Sequence, residues 1–424
     1  MRKYLYTCIF AWFALMGVHA EVVTGPCGAE EENLVYTLDK DTKILTISGK
    51  GAMKNYTFKE YGSESDPPWR THSSFIETLI IEEGVTSIGN NAFNKCEQLA
   101  KATIPTSIAR IGIASFSACI QLDTLVLPNT IKKIGSSAFS DCKELSSINL
   151  PTSLDTISYN LFGNCYKLTS LTLPPSIICI ERQAFRNAGL QTLVLPNSVT
   201  TLGDYAFQDC PLVSVTVPNS IRTIGTGVFN HCRELTEPVY NATHFIYLPF
   251  RAYGWDGNIY IKEATYDIPE GITTVCSMAF EEIEQRLVGI KLPNSLTRIE
   301  NYAFNNCGML RSLIIPPSVK YIGAYAFNNC GELNCSIDIP NGITRINEGT
   351  FYGCKKLSYV RIPDSVTEIG LNAFSGCSYM YSISLPPALR SLESYAFRNC
   401  TKLESINIPN SLTDIQPYAF EGCI

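Results

Sequence analysis

Leu122–Cys142 reads LDTLVLPNTIKKIGSSAFSDC, and the pattern L-x-x-L-x-L-P-x-x-I-x-x-I-G-x-x-A-F-x-x-C returns along most of the chain. Its phenylalanine falls at 93, 116, 139, 162, 185, 207, 229, 280, 304, 327, 351, 374, 397 and 420. The gaps are 22–24 residues except for one of 51, between Phe229 and Phe280. A fixed period in the twenties is the signature of a solenoid. One copy buries too few side chains to offset the ordering of its own backbone, so each needs neighbours on both sides.

The copies align with one another and give column statistics. Eight residues before each Phe the column is aliphatic from Val85 to Leu412, and five before it is aliphatic from Ile88 to Ile415. Both columns must point inward. Before the proline, apolar and polar residues alternate: Leu145, Ile148 and Leu150 face in, while Ser146, Ser147 and Asn149 face out, as in a half-buried strand. Proline ends that strand, the S-[IV]-x-x-I stretch forms a second extended arm, and A-F-x-x-C is expected to be a short helical turn. The column four before Phe holds Gly in half the copies but also Glu181, Glu300 and Glu393, so it reads as a bend without left-handed backbone. The expected architecture is a β-dominated α/β solenoid of about 14 rungs. Its parallel strands, about 4.8 Å apart, make a rod or arc about 60–65 Å long.

Residues 1–20 have the form of a secretory signal: Arg2 and Lys3, an apolar run over Cys8–Met16, and Val18-His19-Ala20 before Glu21. The apolar run is short for a membrane span. Residues 21–72 lack the repeat; Leu34–Leu38 and Lys43–Ile47 read as a β-hairpin capping the first rung, with Trp69 packed nearby. Repeats fill 73–236 and 269–424, with an irregular aromatic-rich rung over 237–268. A formal net charge of −6 with no Lys/Arg cluster argues against nucleic acid and against an anionic membrane surface.

Twelve cysteines occupy one column, three after the Phe, where Ala188 and Ile283 also stand. That interchange favours a buried ladder of thiols over disulfides, with Cys179, in a polar column, as the reactive exception. No paired C-x-x-C set, His-Glu-x-x-His, P-loop or Gly-x-Ser-x-Gly is present, so no metal, cofactor or catalytic residue is assigned.

Two regions are candidates for binding. Outward strand residues Lys291, Arg311, Tyr359 and Arg361 form a distinctive patch on what is otherwise a solvated, hydroxyl-rich β surface. The long gap supplies Tyr253, Trp255 and Tyr260, which either form a ledge for a sugar or protein or simply pack an irregular rung.

The repeat resembles the BspA-type leucine-rich repeat, seen almost intact as I-P-x-S-V-x-x-I-G-x-x-A-F-x-x-C over Ile362–Cys377. The leader elements Cys27-Gly28, Leu45–Gly49, Gly51-Ala52-Met53 and Pro68-Trp69 also resemble that family's N-terminal module, and Pro238–Asn241 and Tyr266–Gly271 its irregular rung. The resemblance implies an exported or surface protein that binds or adheres to a protein or glycan partner, host extracellular matrix among them. The alternative is a structural, self-assembling component of the cell envelope. Weak self-association would then run through the last rung, Ile406, Ile408, Leu412, Ile415 and Phe420, blunted by Pro409 and by Pro417, which interrupts its second arm. No sorting signal or membrane tail precedes Ile424, which leaves secreted, periplasmic and noncovalently attached forms open.

Overall fold

The computed structural model describes residues 21–30, 33–57, 66–249, 264–281 and 287–423. Each repeat is one turn of a coil that is hydrogen-bonded to the next along two strand stacks and a turn. The strands before the proline stack in parallel as a front sheet, for example Thr78↔Lys101 and Thr192↔Ser214. The second arms stack in parallel as a back sheet, for example Arg110↔Lys133 and Cys179↔Thr201. Both inward columns are buried through most of the coil: Ile131, Ile134, Ile177 and Ile180 are at most 1% exposed.

The third contact is the turn around the Phe, and here the expected helical turn is absent. Within a rung, the amides of Asn94 and Cys96 close turns on the carbonyls of Asn91 and Phe93. The intervening amides of Asn91, Phe93 and Lys95 donate instead to Ile113, Ser115 and Ser117 of the next rung, at 2.7–2.8 Å. A helix would consume every amide within its own turn; this arrangement sends every second one across. The alternation requires left-handed backbone two residues either side of the Phe, as at Asn91 (φ 54°) and Lys95 (φ 60°). Such a φ disfavours residues other than Gly, Asn and Asp. The later column answers with Asp141, Asn164, Asn187, Asn306, Asn329, Gly353, Gly376 and Asn399. The glycines four before Phe have no such φ; a Cβ on Gly135 would lie 2.5 Å from the amide nitrogen of Ile113. They allow close approach of the previous rung.

The turn packs the core. Phe116, Phe139, Phe162, Phe185, Phe207 and Phe229 stack with centroids 5.3–5.8 Å apart, and Phe304 through Phe420 continue in the same way beyond the break. Three residues on, from Cys119 onward, the cysteine thiols donate to the carbonyl of the Phe one rung back: Cys119 to Phe93 at 3.2 Å, Cys210 to Phe185 at 3.0 Å, Cys400 to Phe374 at 3.2 Å. The ladder is made of thiols, without bridges. Burial pushes Cys96 and Cys142 up to about 12. Maleimide on the native protein should therefore leave the core ladder unlabelled until denaturant is added. Cys179, Cys335 and Cys423, all half-buried, should label first. Burial, followed by the nearby Glu181 and Asp155, raises the pKa of Cys179, so its labelling should still be accelerating above the ordinary thiol range. Ladder labelling at the Cys179 rate would contradict the packing.

At the N-terminus the hairpin Leu34–Asp39/Ile44–Gly49 gains a third strand, Val22–Pro26, which the sequence did not suggest. The hairpin joins the front sheet directly, Ile44–Ile47 lying parallel to Thr78–Ile81. Trp69 stacks on Phe93 at 5.5 Å, contacts Tyr36 and Tyr56 edge-on, and its indole N–H donates to the Ala92 carbonyl at 2.9 Å. It occupies the place of a Phe in a preceding rung. Trp69→Ala should cost about 3–5 kcal/mol and speed amide exchange over residues 33–57 first. Phe75→Ala, at a position 52% exposed, should do neither.

Among its described residues the 51-residue gap holds one shortened rung. Leu248 stands in the Phe position, its amide bonding Ala279 O at 2.8 Å as Phe280 bonds Ala303. Val239–Tyr240 folds back antiparallel on His244–Tyr247, and His244–Phe245 pairs with Thr274–Val275. Neither the Ser214–Thr216 strand nor the Thr223–Ile224 strand pairs onward, so both sheets stop here and the buried core divides into two clusters. In the last rung, the carbonyl-to-amide bond from Leu392 to Gln416 is intact, so Pro417 follows the second arm and does not interrupt it. Ile408 and Ile415 there are 42% and 48% exposed.

Candidate binding surface

The outward columns of the front sheet form an open ribbon. Two residues before each proline lie Val126, Val194 and Ile314, 77–82% exposed, on strands whose alternate residues Leu125, Leu193 and Leu313 are at most 3% exposed. Alternation on a pleated strand produces this contrast, and the parallel register aligns the exposed side chains into rows. The hydroxyls at Thr124, Ser147, Thr192 and Ser214 are likewise exposed. Hydroxyl bonds between rungs are made one turn later, at part-buried positions. Ser107, Ser153, Ser198 and Ser365 each bond a backbone carbonyl of the preceding rung, at 2.6–3.1 Å.

Among the residues singled out in the sequence, Tyr253, Trp255 and Tyr260 lie outside the described residues. Lys291, Arg311, Tyr359 and Arg361 are all exposed on the front side. The structure does not bring Lys291 and Arg361 together. They share a column but are separated by the rungs of Ile314 and Asp338. Arg361 is aligned with Asp338 on one side and Ser384 on the other, and Lys291 with Asp267. The column that holds Lys291 and Arg361 is thus a row in which each cation lies beside an aspartate. Next to it a shallow groove of ≈ 640 Å³ is lined by Asp338, Asn341, Arg361, Asp364 and the prolines that end these strands.

An aromatic cluster went unnoticed in the sequence. Tyr379 and Tyr381 are 47% and 50% exposed, and the Lys402 ammonium lies 3.8 Å from the first ring centroid and 5.1 Å from the second. It also bonds Tyr381 Oη at 3.1 Å, and that bond raises the lysine's pKa. Cation–π contact holds both rings in place. Its signal was the Tyr-Met-Tyr of 379–381 facing a lysine two after the ladder cysteine of the next rung, a pairing visible only once repeats are stacked. The two tyrosine faces, one rung on from Tyr359 and Arg361, offer amphipathic contact area of the kind enriched at interfaces. No group of three or more His, Cys, Asp or Glu among the described residues has metal-binding geometry. No helix among them is long and apolar enough to cross a membrane.

Parallel β-coil rungs, a hydrophobic ladder on the inside and a side-chain ribbon on the outside define a leucine-rich-repeat solenoid. The BspA type leucine rich repeat region family matches in six copies over residues 71–188, 155–247, 260–335 and 297–424, and the chain belongs to that family. Among solved structures it is similar to a leucine-rich repeat protein from Eubacterium ventriosum, with 22% identity, 95% of each chain covered and a TM-score of 0.53. It is also similar to one from Bacteroides ovatus, with 26% identity, 93% of this chain and 91% of that one covered and a TM-score of 0.48. A third, a leucine rich cell surface protein from Faecalibacterium prausnitzii, shows 24% identity, 92% and 95% coverage and a TM-score of 0.44. No curated protein matches the sequence.

Proposed function

We propose that the protein is exported and acts as a noncatalytic binding or adhesion protein, presenting the outer face of its front sheet to a protein or glycan partner such as an extracellular-matrix glycoprotein. The observation that carries this reading is the exposed ribbon itself. Aliphatic side chains stand 77–82% exposed at Val126, Val194 and Ile314, and further along lies the tyrosine–lysine cluster of Tyr379, Tyr381 and Lys402. A solenoid held together by its inward columns leaves the outward ones available for recognition. Large exposed apolar and aromatic side chains near charged neighbours suit a contact surface better than a purely solvated one. The signal-like residues 1–20 support export.

The test is to screen residues 21–424 against an array of matrix glycoproteins and glycans. Any hit is then repeated with Tyr379→Ala/Tyr381→Ala and with Arg361→Glu. These substitutions sit at exposed positions and should leave the melting temperature unchanged. Binding should fall roughly tenfold or more, the scale of a lost aromatic anchor. An array without hits, or hits indifferent to both variants, would remove this surface from consideration.

A further inference from the structure

Among the described residues the back sheet is interrupted in three places, and one of these interruptions is left open. Along the back sheet, the carbonyl of the inward aliphatic residue accepts an amide from the following rung, as Ile111 does from Gly135, Leu202 from Gly225 and Val275 from Glu300. Between Lys133–Ile134 and Thr156–Ile157 the strand pairing lapses, but Ser158 Oγ reaches the Ile134 carbonyl at 2.7 Å. Between Tyr321–Ile322 and Arg345–Ile346 it lapses again, and Asn347 Nδ2 reaches the Ile322 carbonyl at 2.6 Å. After Thr223–Ile224 the next arm, His244–Phe245, does not pair with it and no side chain substitutes: no donor among the described residues meets the Ile224 carbonyl. The side chain of Ile224 is half-buried, whereas Ile180, Leu202, Val275 and Ile299 in the same column are fully buried.

Where the pairing lapses there is space. A cleft of ≈ 430 Å³ opens beside this strand, lined by Arg222, Ile224 and Gly225 on one side and by His244, Thr274 and Glu300 on the other. Glycine 225 can line it only with backbone. The other charges at the cleft are already engaged. Arg298 bonds Glu300 at 2.9 Å and lies 4.3 Å over the Tyr321 ring, and Asp204 accepts the Thr226 amide at 2.8 Å. Arg222 is exposed and has no ion pair among the described residues.

We propose that this cleft is a peptide-binding site, in which an extended segment of a partner protein adds as a parallel strand to the Thr223–Ile224 edge and sets an acidic side chain against Arg222. A segment of this kind would stand between the second arms Thr223–Ile224 and His244–Phe245, which do not pair with each other. Every intact contact in this sheet is itself only a few residues long, so a short stretch suffices to complete the ladder. Main-chain bonds to the edge would give affinity and the Arg222 contact direction and register. The site is on the opposite sheet from the tyrosine–lysine cluster, so the two readings fail separately.

A suitable probe is a dye-labelled, end-blocked peptide copying this chain's own residues 153–158, SLDTIS. Stacked in repeat register, its Asp155 falls beside Arg222 and its Ile157 beside Ile224. Fluorescence anisotropy with residues 21–424 should show saturable binding, weakened about tenfold or more by D155K in the peptide. Arg222→Glu in the protein should invert that preference, and Arg222→Ala should abolish it. Amide exchange over residues 222–226 should slow when the peptide is bound. Equal binding of both peptides, or binding with no slowing at 222–226, would overturn the proposal. So would an oligosaccharide panel that binds in an Arg222-dependent way while the peptides do not.

Discussion

Between pH 9 and pH 12 the protein is expected to lose stability far more steeply than its content of lysine and tyrosine alone would dictate. Burial raises the thiols of Cys96, Cys142, Cys210 and Cys400 from an ordinary 9.0 to about 12. Cys119, Cys165, Cys330 and Cys377 are pushed up in the same way, desolvation being the first cause in each. The sign follows from linkage. Below the unfolded-chain value both states keep the proton and the full stability is present. Above it the unfolded chain releases protons that the folded ladder retains, and unfolding becomes easier. Each such thiol then removes about 1.4 kcal/mol per pH unit until its folded value is reached. Because the ladder has many members, a midpoint in urea measured from pH 7 to 11 should be flat below pH 9 and fall sharply above it. Replacing Cys119 and Cys142 by alanine, the residue found naturally at Ala188, should make that fall shallower. An unchanged slope would mean that the thiols are not what the folded state protects.

The inside of the coil was legible because repetition turns one sequence into an alignment. An aliphatic column with no exceptions, such as that from Ile88 to Ile415, has one physical reading, and the structure places it in the core except at the half-buried Ile224 and the exposed Ile415. Likewise, the interchange of cysteine with Ala188 pointed to burial, though not to the bond each thiol makes to the Phe carbonyl one rung back. The turn was misjudged because A-F-x-x-C has the spacing of one helical turn. The decisive signal was the Asn, Asp and Gly content of the column two after the Phe, which marks left-handed backbone. The column two before it hid the same requirement behind Tyr205, Tyr302, Tyr325, Tyr395 and Tyr418. Stacking of Tyr302 on Tyr325 and Tyr395 on Tyr418, at 5.2 and 5.3 Å, helps hold that unfavourable φ. Surface features were least legible. Charges at Lys291 and Arg361 looked like a patch until the register placed Asp267 and Asp338 beside them. Tyr379 and Tyr381 acquire their cation only from the following rung.

Ile134→Asp should destabilise the chain by more than about 5 kcal/mol, while Lys133→Asp, one residue away, should stay within about 0.5 kcal/mol of the parent. Ile134 is 1% exposed and aligned with Ile111 in the back sheet. Aspartate there removes a buried aliphatic side chain and leaves a carboxylate among apolar neighbours with nothing to pair with. Lys133 points to solvent and is aligned with Arg110, so an acidic side chain would replace a like-charge neighbour with an opposite one. In a stack whose rungs contact only their neighbours, damage at one rung spreads by disconnecting the two sides. Amide exchange in Ile134→Asp should therefore accelerate first around residues 108–157 and leave the cluster beyond Phe245 protected longer. Circular dichroism melts of the two variants side by side decide the matter. Equal melting temperatures would mean that the back-sheet arm is inverted, with Lys133 inward, and a uniform loss of protection along the chain would mean that the two core clusters unfold as one.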